Sequence, residues 1–292
     1  APNALPVTHV LRVDAGVATI VCPVPSSAEE PPLRAKVELV TVEAQPEGAP
    51  APLTFHAALV RPRNFDPHRR YPVVVHVYGG PHAQIVRPDE RWFLLDQYIA
   101  EHGVVVVAID NRGTPRRDPR WERAIKGRLA EVPLADQVAA LQALGARHPE
   151  LDLSRVGIYG WSFGGTMAAL AVLRRPDVYR CAVAGAPVTD WRNYDTHYTE
   201  RYLDTPDAAP GAYAAGDLTR DAAKLTRPLL LVHGTADDNV YFFHSLELAN
   251  ALLRAGRRFE FLPLPRVTHQ IGDPVVRERV WERTVGFLLE NL

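Results

Sequence analysis

Cysteine is scarce in this sequence, since Cys22 and Cys181 are the only two among 292 residues. Two cysteines are too few for the disulfide framework of a small secreted domain, and neither has the His or Cys neighbours of a zinc site. Long apolar runs are also absent, because charged residues, Gly or Pro interrupt every stretch before it reaches the roughly 20 residues of a transmembrane helix. We therefore expect no metal site and no membrane span. The compartment stays open between the cytoplasm and a periplasmic or secreted location.

Net charge is nearly absent as well, because 33 Lys and Arg residues face 34 Asp and Glu residues, giving a formal net charge of -1. Without a basic stripe to follow phosphates, nucleic acid is not an expected partner. The chain begins with Ala1, and its only methionine is Met167. We expect that it is processed or excerpted from a longer protein, which leaves room for a signal peptide.

The N-terminal part of the sequence is rich in strand and turn signals. Two β-like runs, 7–13 and 16–21, precede a Pro-rich stretch at 23–32, and a second Pro- and Gly-rich stretch follows at 46–52. Such signals predict a strand pair followed by a linker.

Residues 51–292 carry the pattern of one main domain, and residues 1–50 are assigned to the N-terminal strands and the linker. The run Leu53–Val60 alternates in polarity, which suits an edge strand. Later, short apolar runs alternate with helix-like segments. The runs lie at 73–78, 104–109, 156–159, 182–184, 228–233 and 259–264, and the helix-like segments lie near 134–147, 165–174, 244–255 and 276–290. Apolar strands separated by helices form parallel sheets that are buried on both faces. We therefore predict an α/β fold with a doubly wound, mostly parallel sheet of about eight strands.

Ser162 lies in the segment 160–165, Gly-Trp-Ser-Phe-Gly-Gly, which contains the pattern Gly-x-Ser-x-Gly. The segment follows the apolar run 156–159 and opens a helix-like run, which is the context of a nucleophile elbow. The turn from strand to helix strains the backbone, and the glycines let neighbouring elements pass close while the serine Oγ projects above the sheet. We predict that Ser162 is the catalytic nucleophile. The alternative is a serine that caps a helix between packing glycines.

The base is sought beyond the serine, because α/β-hydrolases place Asp or Glu, and then His, after the nucleophile in the chain. Only His244 and His269 lie beyond the aspartates of the loop at 234–240. His244 starts a helix-like segment, whereas His269 lies between the last apolar run and the last helix. We therefore predict that His269 is the base.

The acid is expected in the loop after the apolar run 228–233, where Asp237 and Asp238 are adjacent. Spacing alone does not separate the two. An aspartate after a strand is also compatible with a turn former, and His269 with an ordinary surface residue. In combination with Ser162, the three residue types in this order indicate a catalytic triad.

An oxyanion must be stabilised by hydrogen-bond donors near the nucleophile. The backbone N–H of Phe163, directly after Ser162, is one predicted donor. The second is expected from the segment 78–81, Tyr-Gly-Gly-Pro, which follows an apolar run. Either a backbone amide there or the phenol of Tyr78 is suited to this role, and the alternative for Tyr78 is packing at the end of the sheet.

From about residue 50 to 292, the sequence resembles the catalytic domain of the prolyl oligopeptidase family, in particular its dipeptidyl peptidase IV branch. Three motifs carry the resemblance. They are Trp161 directly before the serine, the segment 234–240 (Gly-Thr-Ala-Asp-Asp-Asn-Val), and the segment 191–202, which begins Trp-Arg-Asn-Tyr-Asp. The resemblance implies an α/β-hydrolase fold and a peptide substrate, with neither a metal nor an organic cofactor.

The resemblance also implies residue roles. Asp237 would be the acid, and the Tyr78 hydroxyl would join the Phe163 amide in the oxyanion hole. A pocket for a proline ring would be lined by Val188, Trp191, Tyr194, Tyr198 and Val240, with Trp161 and Asn239 as further substrate-binding residues and Asn239 binding a substrate carbonyl. A flat aromatic box suits a rigid apolar ring. Without the resemblance, these aromatic residues would be interpreted as core.

The sequence departs from the family in two respects. Family members carry a large β-propeller ahead of the hydrolase domain, whereas only about 50 residues stand there in this sequence. In dipeptidyl peptidases the propeller supplies the paired glutamates that hold the substrate's free amine. We interpret residues 8–45 as the closing strands and hinge of a missing propeller. The second departure is Gln270 after His269, where smaller residues are commoner.

These inferences predict a serine peptidase that cuts after proline or alanine, in the manner of a dipeptidyl peptidase, through a Ser-His-Asp triad and an acyl-enzyme. The resemblance also suggests a homodimer through the hydrolase domain. One alternative keeps the triad in an acylaminoacyl peptidase or carboxylesterase. Another is a catalytically silent hydrolase-fold domain that acts in binding.

Overall fold

The computed structural model describes residues 8–24 and 34–292 of the chain. Its first element is an antiparallel hairpin of β1 (Thr8–Asp14) and β2 (Val17–Val24). Ala15 and Gly16 join the two strands with positive φ angles of 50° and 81°, the backbone that a tight two-residue hairpin turn requires. This hairpin is the predicted strand pair, whereas most of the predicted linker at 23–32 lies outside the described residues.

The apolar side chains of the hairpin are exposed. Leu11, Val13, Val17 and Ile20 each leave more than half of their surface accessible. A two-stranded hairpin is marginally stable alone in water, and an exposed apolar surface of this kind is typical of an interaction site. The interpretation of this segment as the end of a propeller stays a prediction.

An eight-stranded sheet forms the body of the molecule. Its strands are β3 (Val37–Ala44), β4 (Leu53–Val60), β5 (Tyr71–His76), β6 (Val105–Asp110), β7 (Leu151–Trp161), β8 (Cys181–Gly185), β9 (Leu229–Gly234) and β10 (Glu260–Leu264). Their order across the sheet is β3-β4-β6-β5-β7-β8-β9-β10. The pairings β3 with β4 and β4 with β6 are antiparallel, and all others are parallel. The predicted doubly wound, mostly parallel sheet is therefore confirmed.

The sheet begins earlier in the chain than the boundary at residue 50 anticipates. β3 pairs with β4 along its whole length, from Val37 opposite Val60 to Ala44 opposite Leu53. The prediction that β4 is an edge strand is wrong, because β6 lies on its other side. Side chains on both faces of β4 are buried, and its backbone pairs with β3 on one edge and with β6 on the other.

Within the described part of the chain, eight α-helices accompany the sheet: α1 (Leu94–Ala100), α2 (Pro119–Arg123), α3 (Glu131–Arg147), α4 (Phe163–Arg174), α5 (Thr196–Leu203), α6 (Pro210–Ala215), α7 (Phe243–Arg254) and α8 (Pro274–Asn291). Short 3-10 helices lie at Glu90–Phe93, Trp191–Asn193 and Leu218–Lys224. The four longest α-helices, α3, α4, α7 and α8, are the predicted ones. The shorter helices were not predicted, since one or two turns do not establish a helical period.

The core lies on both faces of the sheet, because successive side chains of a strand point to opposite faces. In β5, Val73 and Val75 join the cluster that includes α3, α4 and α7, whereas Val74 joins the cluster that includes α1 and α8. All three valines are fully buried. Complete burial of such a side chain is worth about 1.5–3 kcal/mol, which explains why the strands are continuously apolar.

The parallel strands bring their carboxyl ends to one edge of the sheet. Tyr78 follows β5, Ser162 follows β7, Asp237 follows β9, and His269 follows β10. In open α/β sheets this edge is where ligands bind. The strand order, the helices on both faces and the serine between β7 and α4 define the α/β-hydrolase fold. Within the described ranges, the helices are too short or too polar to cross a membrane.

Candidate active site

Ser162 occupies the sharp turn between β7 and α4, with φ 62° and ψ -121°. A positive φ at a residue other than glycine stores strain of about 1–3 kcal/mol, which the surrounding structure must hold in place. The Ser162 N–H donates to Gly185 O across 2.8 Å, and its side chain makes no capping bond to α4. The helix-capping alternative is therefore not what the geometry shows. The backbone instead has the form of a nucleophile elbow.

The glycines of the elbow allow close backbone contacts. A Cβ added to Gly164 would lie 2.2 Å from Val77 O, and one added to Gly165 would lie 2.1 Å from Gly185 O. Both of these atoms are backbone oxygens, which cannot move aside as the end of a flexible side chain can. Only glycine therefore lets α4 pack this closely on the ends of β5 and β8.

His269 and Asp237 form a buried pair beside the elbow. His269 Nδ1 lies 2.8 Å from Asp237 Oδ2, and the exposed fractions of the two residues are 8% and 6%. Asp237 Oδ1 accepts hydrogen bonds from the amides of Asn239 (3.0 Å) and Val240 (2.9 Å). Both carboxylate oxygens are thus engaged, and the ring of His269 is held in one orientation. Asp238, by contrast, is exposed.

The electrostatics of Asp237 favour its ionised form. Burial acts to raise the pKa of Asp237, but hydrogen bonds from His233, His269 and the Asn239 amide outweigh burial and hold that pKa well below its usual range. His233, inside β9, is fully buried, with Nε2 3.3 Å from Asp237 Oδ2 and 2.8 Å from Val240 O. Sequence analysis missed His233, and its place at the end of the strand before the acid was the one available signal.

Ser162 and His269 line the same cavity of about 520 Å³, together with Tyr78, Trp161 and Asn239. Trp161 Nε1 donates to His269 O across 3.0 Å, which ties the loop of the base to the elbow. The hydrogen bonds of the described residues do not include one from Ser162 Oγ to His269. In unliganded hydrolases such bonds are often long and tighten only with substrate.

His244, the other histidine considered for the base, is a structural residue. It lies in the first turn of α7, almost fully buried, and its Nδ1 accepts a hydrogen bond from the Thr189 amide across 3.2 Å. Burial lowers the pKa of His244 to about 4, so the ring stays neutral near pH 7.

Tyr78 and Phe163 lie together at the predicted oxyanion site, with ring centroids 6.0 Å apart. Burial, reinforced by the neighbouring Tyr194 and Tyr202, raises the pKa of Tyr78 to about 12, so its hydroxyl keeps its proton and can donate. Phe163 is the first residue of α4, where backbone N–H groups have no partner within the helix.

The backbone beside Tyr78 is held by a buried amide pair that sequence analysis missed. Asn111 Nδ2 donates to Gly79 O across 2.8 Å, and Gln137 Nε2 donates to Asn111 Oδ1 across 2.8 Å. Gly79 has a φ of 78°, which favours glycine, and Gly80 packs so closely on the Phe163 ring that an added Cβ would lie 2.4 Å from it.

The aromatic residues after β8 form a continuous cluster. Trp191 is buried, with ring centroids 5.7 Å from Phe163, 5.8 Å from Tyr194 and 6.1 Å from Tyr198. Tyr194, Tyr198 and Tyr202 are spaced by four residues, so those on α5 share one helix face. Asp195 caps this helix through the Tyr198 amide, which explains where α5 begins.

The remaining predicted binding residues also reach this region. Val188 and Val240 are buried, and Asn239 Oδ1 accepts a hydrogen bond from the Tyr194 hydroxyl across 2.8 Å. This hydrogen bond joins the aromatic cluster to the loop that carries Asp237. His82 was not predicted, yet its Nε2 lies 2.9 Å from the Tyr202 hydroxyl at the outer end of the cluster.

In the described part of the chain, no three His, Cys, Asp or Glu side chains are grouped closely enough to hold a metal ion. The arrangement of the site is that of an oriented histidine beside a serine on an elbow, with hydrogen-bond donors near the serine. Such an arrangement can transfer an acyl group through a covalent intermediate.

Fold and elbow together define the chain as an α/β hydrolase. A model of the prolyl oligopeptidase family matches residues 92–292. Dipeptidyl peptidase 8 from Homo sapiens and from Mus musculus are each 40% identical to the chain over 245 residues, which cover 82% of this chain and 27% of each relative. The crystal structure of Porphyromonas gingivalis dipeptidyl peptidase 4 is similar with a TM-score of 0.81 and 33% identity, over 89% of this chain and 36% of that one.

The chain therefore belongs to the prolyl oligopeptidase family, as its motifs indicated. It spans about a quarter of the length of the curated relatives and about a third of the solved structure.

Proposed function

We propose that the chain is the catalytic domain of a serine peptidase that releases dipeptides by cutting after proline or alanine. The observation that carries the proposal is the buried His269–Asp237 pair beside Ser162 on its elbow, flanked by the aromatic cluster. The relatives are named dipeptidyl peptidases, and these names support a substrate from which a dipeptide is released.

In the proposed mechanism, ionised Asp237 orients His269 so that the other ring nitrogen, Nε2, faces Ser162. His269 removes the proton from Ser162 Oγ as that oxygen attacks the carbonyl carbon of the bond to be cut. The negative oxygen that forms is stabilised by the Phe163 N–H and the Tyr78 hydroxyl. His269 then gives its proton to the departing amine, leaving the acyl group on Ser162. Water, deprotonated by His269, releases the acid and restores the serine.

Preference for proline would arise in the aromatic cluster. Trp191, Tyr194 and Tyr198, with the buried Val188 and Val240, offer an apolar and rigid surface beside the serine. A proline ring is apolar and already constrained, so it is buried with little loss of conformational entropy. Alanine would fit with less contact, and larger side chains would clash. Asn239, held by Tyr194, would bind a substrate carbonyl.

Release of dipeptides also requires a group that holds the free amine of the substrate. The relatives are about four times as long as the matched region, so the amine site is proposed to lie in a preceding β-propeller. The hairpin of residues 8–24 would then belong to its closing strands, whereas β3 (Val37–Ala44) is part of the hydrolase sheet, which corrects the wider assignment of residues 8–45 to the propeller. A homodimer would form through the hydrolase domain.

The test uses the full-length protein with Gly-Pro-arylamide as substrate. We expect hydrolysis by the wild type and none above background by Ser162→Ala. A matched pair of substrates, with free and acetylated amine, distinguishes a dipeptidyl peptidase from the alternatives. Cleavage of only the acetylated peptide would indicate an acylaminoacyl peptidase, and hydrolysis of acyl esters alone would indicate an esterase. A wild type that acts on none of these substrates would indicate a silent domain.

A further inference from the structure

The departing half of the substrate must lie on the His269 side of the serine. In the proposed function, His269 donates a proton to the leaving nitrogen, so that nitrogen lies within hydrogen-bond distance of the ring. The aromatic cluster packs against Phe163 through Trp191. The cavity of about 520 Å³, by contrast, is lined by His269, Gln270 and Ile271. We therefore assign this cavity to the departing peptide.

The walls of the cavity beyond the serine are apolar and basic. They include Trp92, Trp161, Ile271, Arg277 and Trp281. Among the described residues that line it, none is Asp or Glu. His76 also lines the cavity, with Nδ1 2.9 and 3.2 Å from the two oxygens of the fully buried Asp96. Tyr159 donates to that same carboxylate across 2.7 Å, so Asp96 is already engaged inside the fold.

Arg277 carries the one permanent charge on this cavity wall among the described residues. It lies in the first turn of α8 and is exposed, and within the described ranges its guanidinium forms no ion pair. Asp273, one turn earlier, does not pair with Arg277, because its carboxylate accepts hydrogen bonds from the amides of Val275 and Val276. The first turn of α8 holds no acidic residue. Because the Asp273 carboxylate already caps the positive end of α8, the attraction of this wall for an anion comes from the Arg277 guanidinium.

We propose that Arg277 binds a carboxylate of the departing half of the substrate. The carboxylate is either the free C-terminus of a short peptide or an Asp or Glu side chain next to the cut. A guanidinium holds a carboxylate through two parallel hydrogen bonds, which gives direction as well as attraction. The neighbouring indoles of Trp92 and Trp281 cover the apolar part of the departing residue. This inference rests on the proposed function and adds a preference for acidic leaving groups.

The experiment compares pairs of peptides on the full-length protein. The first pair is Gly-Pro-Gly with a free or an amidated C-terminus, and the second is Gly-Pro-Glu-amide against Gly-Pro-Gln-amide. We expect the wild type to cleave the acidic member of at least one pair with kcat/KM about 10-fold higher, since a partly exposed charged hydrogen bond is worth on the order of 1.4 kcal/mol. The pair that shows the preference identifies the carboxylate.

Arg277→Gln should abolish this preference and leave Gly-Pro-arylamide hydrolysis unchanged, because the arylamide has no carboxylate. The matched control is Arg279→Gln, two positions along α8, whose exposed side chain pairs with Glu282 away from the cavity. That variant should keep the preference. Added salt should weaken the preference in the wild type, since the site is open to solvent.

The inference is overturned if the wild type cleaves both members of both pairs equally, or if Arg277→Gln lowers the rates for acids, amides and arylamide alike. Failure of the wild type to hydrolyse the arylamide overturns the proposed function itself. Normal arylamide hydrolysis without an acid preference overturns only the role of Arg277.

Discussion

Trp161 Nε1 donates a hydrogen bond to the backbone oxygen of His269 across 3.0 Å. The residue next to the predicted nucleophile thus holds the loop of the predicted base. The indole also packs on Gly185, where an added Cβ would lie 2.0 Å from the ring, so the tryptophan has little freedom to move. This contact couples the elbow and the histidine loop, whose residues are far apart in the sequence.

Replacing Trp161 by phenylalanine should therefore lower kcat by about 3- to 10-fold with little change in KM. The hydrogen bond to His269 is lost, which costs about 0.5–1.5 kcal/mol of positioning. Steady-state hydrolysis of Gly-Pro-arylamide measures both constants. A variant that raises KM and keeps the wild-type kcat would contradict this role of Trp161.

Asp237→Asn should reduce kcat by about 1,000- to 10,000-fold, because an amide stabilises the wrong tautomer of the histidine ring. Asp238→Asn is an ideal comparison, since Asp238 is adjacent, exposed and not bonded to His269. It should retain nearly full activity. The account fails here if the two variants lose activity to the same extent.

Tyr78→Phe should lower kcat by about 100- to 1,000-fold, the usual effect of removing one oxyanion donor. Burial raises the pKa of Tyr78 to about 12. A tyrosine loses its proton only as the pH rises through its pKa, so this hydroxyl remains a donor up to about pH 10. The ratio of wild-type to variant kcat should therefore stay constant from about pH 7 to about pH 10. A ratio that falls steadily over this range would show that Tyr78 ionises earlier than its burial predicts.

Gly165→Ala should lower the free energy of unfolding by about 1–3 kcal/mol, because the new Cβ would lie 2.1 Å from Gly185 O and neither backbone can yield cheaply. Gly211→Ala in α6 is the control, with no atom within 4 Å of the added Cβ. It should leave stability unchanged or raise it by up to about 1 kcal/mol. Urea unfolding of the full-length protein measures both. Equal stability of the two variants would contradict the close packing of α4.

Much of the fold could be predicted because the parallel strands are buried on both faces and therefore read as continuous apolar runs. β3 was not recognised as part of the sheet for the opposite reason. It covers the edge, and only Val37 and Val42 among its residues are buried, so its pattern is that of a loosely covered strand. β4 alternates enough to resemble an edge strand, although its neighbours on both sides are strands.

The predicted residues of the site are brought to one edge of the sheet because chain order and strand ends limit where they can lie. Spacing could not separate Asp237 from Asp238, since only the turn after β9 decides which carboxylate points to His269. The supporting contacts of His233 and Asn111 depend on tertiary packing, which no local pattern contains.

The central claim is that Ser162 is an activated nucleophile. The most direct measurement is reaction of the full-length protein with a fluorophosphonate, followed by mass spectrometry of the digested product. The account predicts one adduct on the peptide that contains Ser162, absent when the protein carries Asp237→Asn or Ser162→Ala and unaffected by Asp238→Asn. No adduct on the wild type, or an adduct on another residue with undiminished labelling of Ser162→Ala, would contradict it.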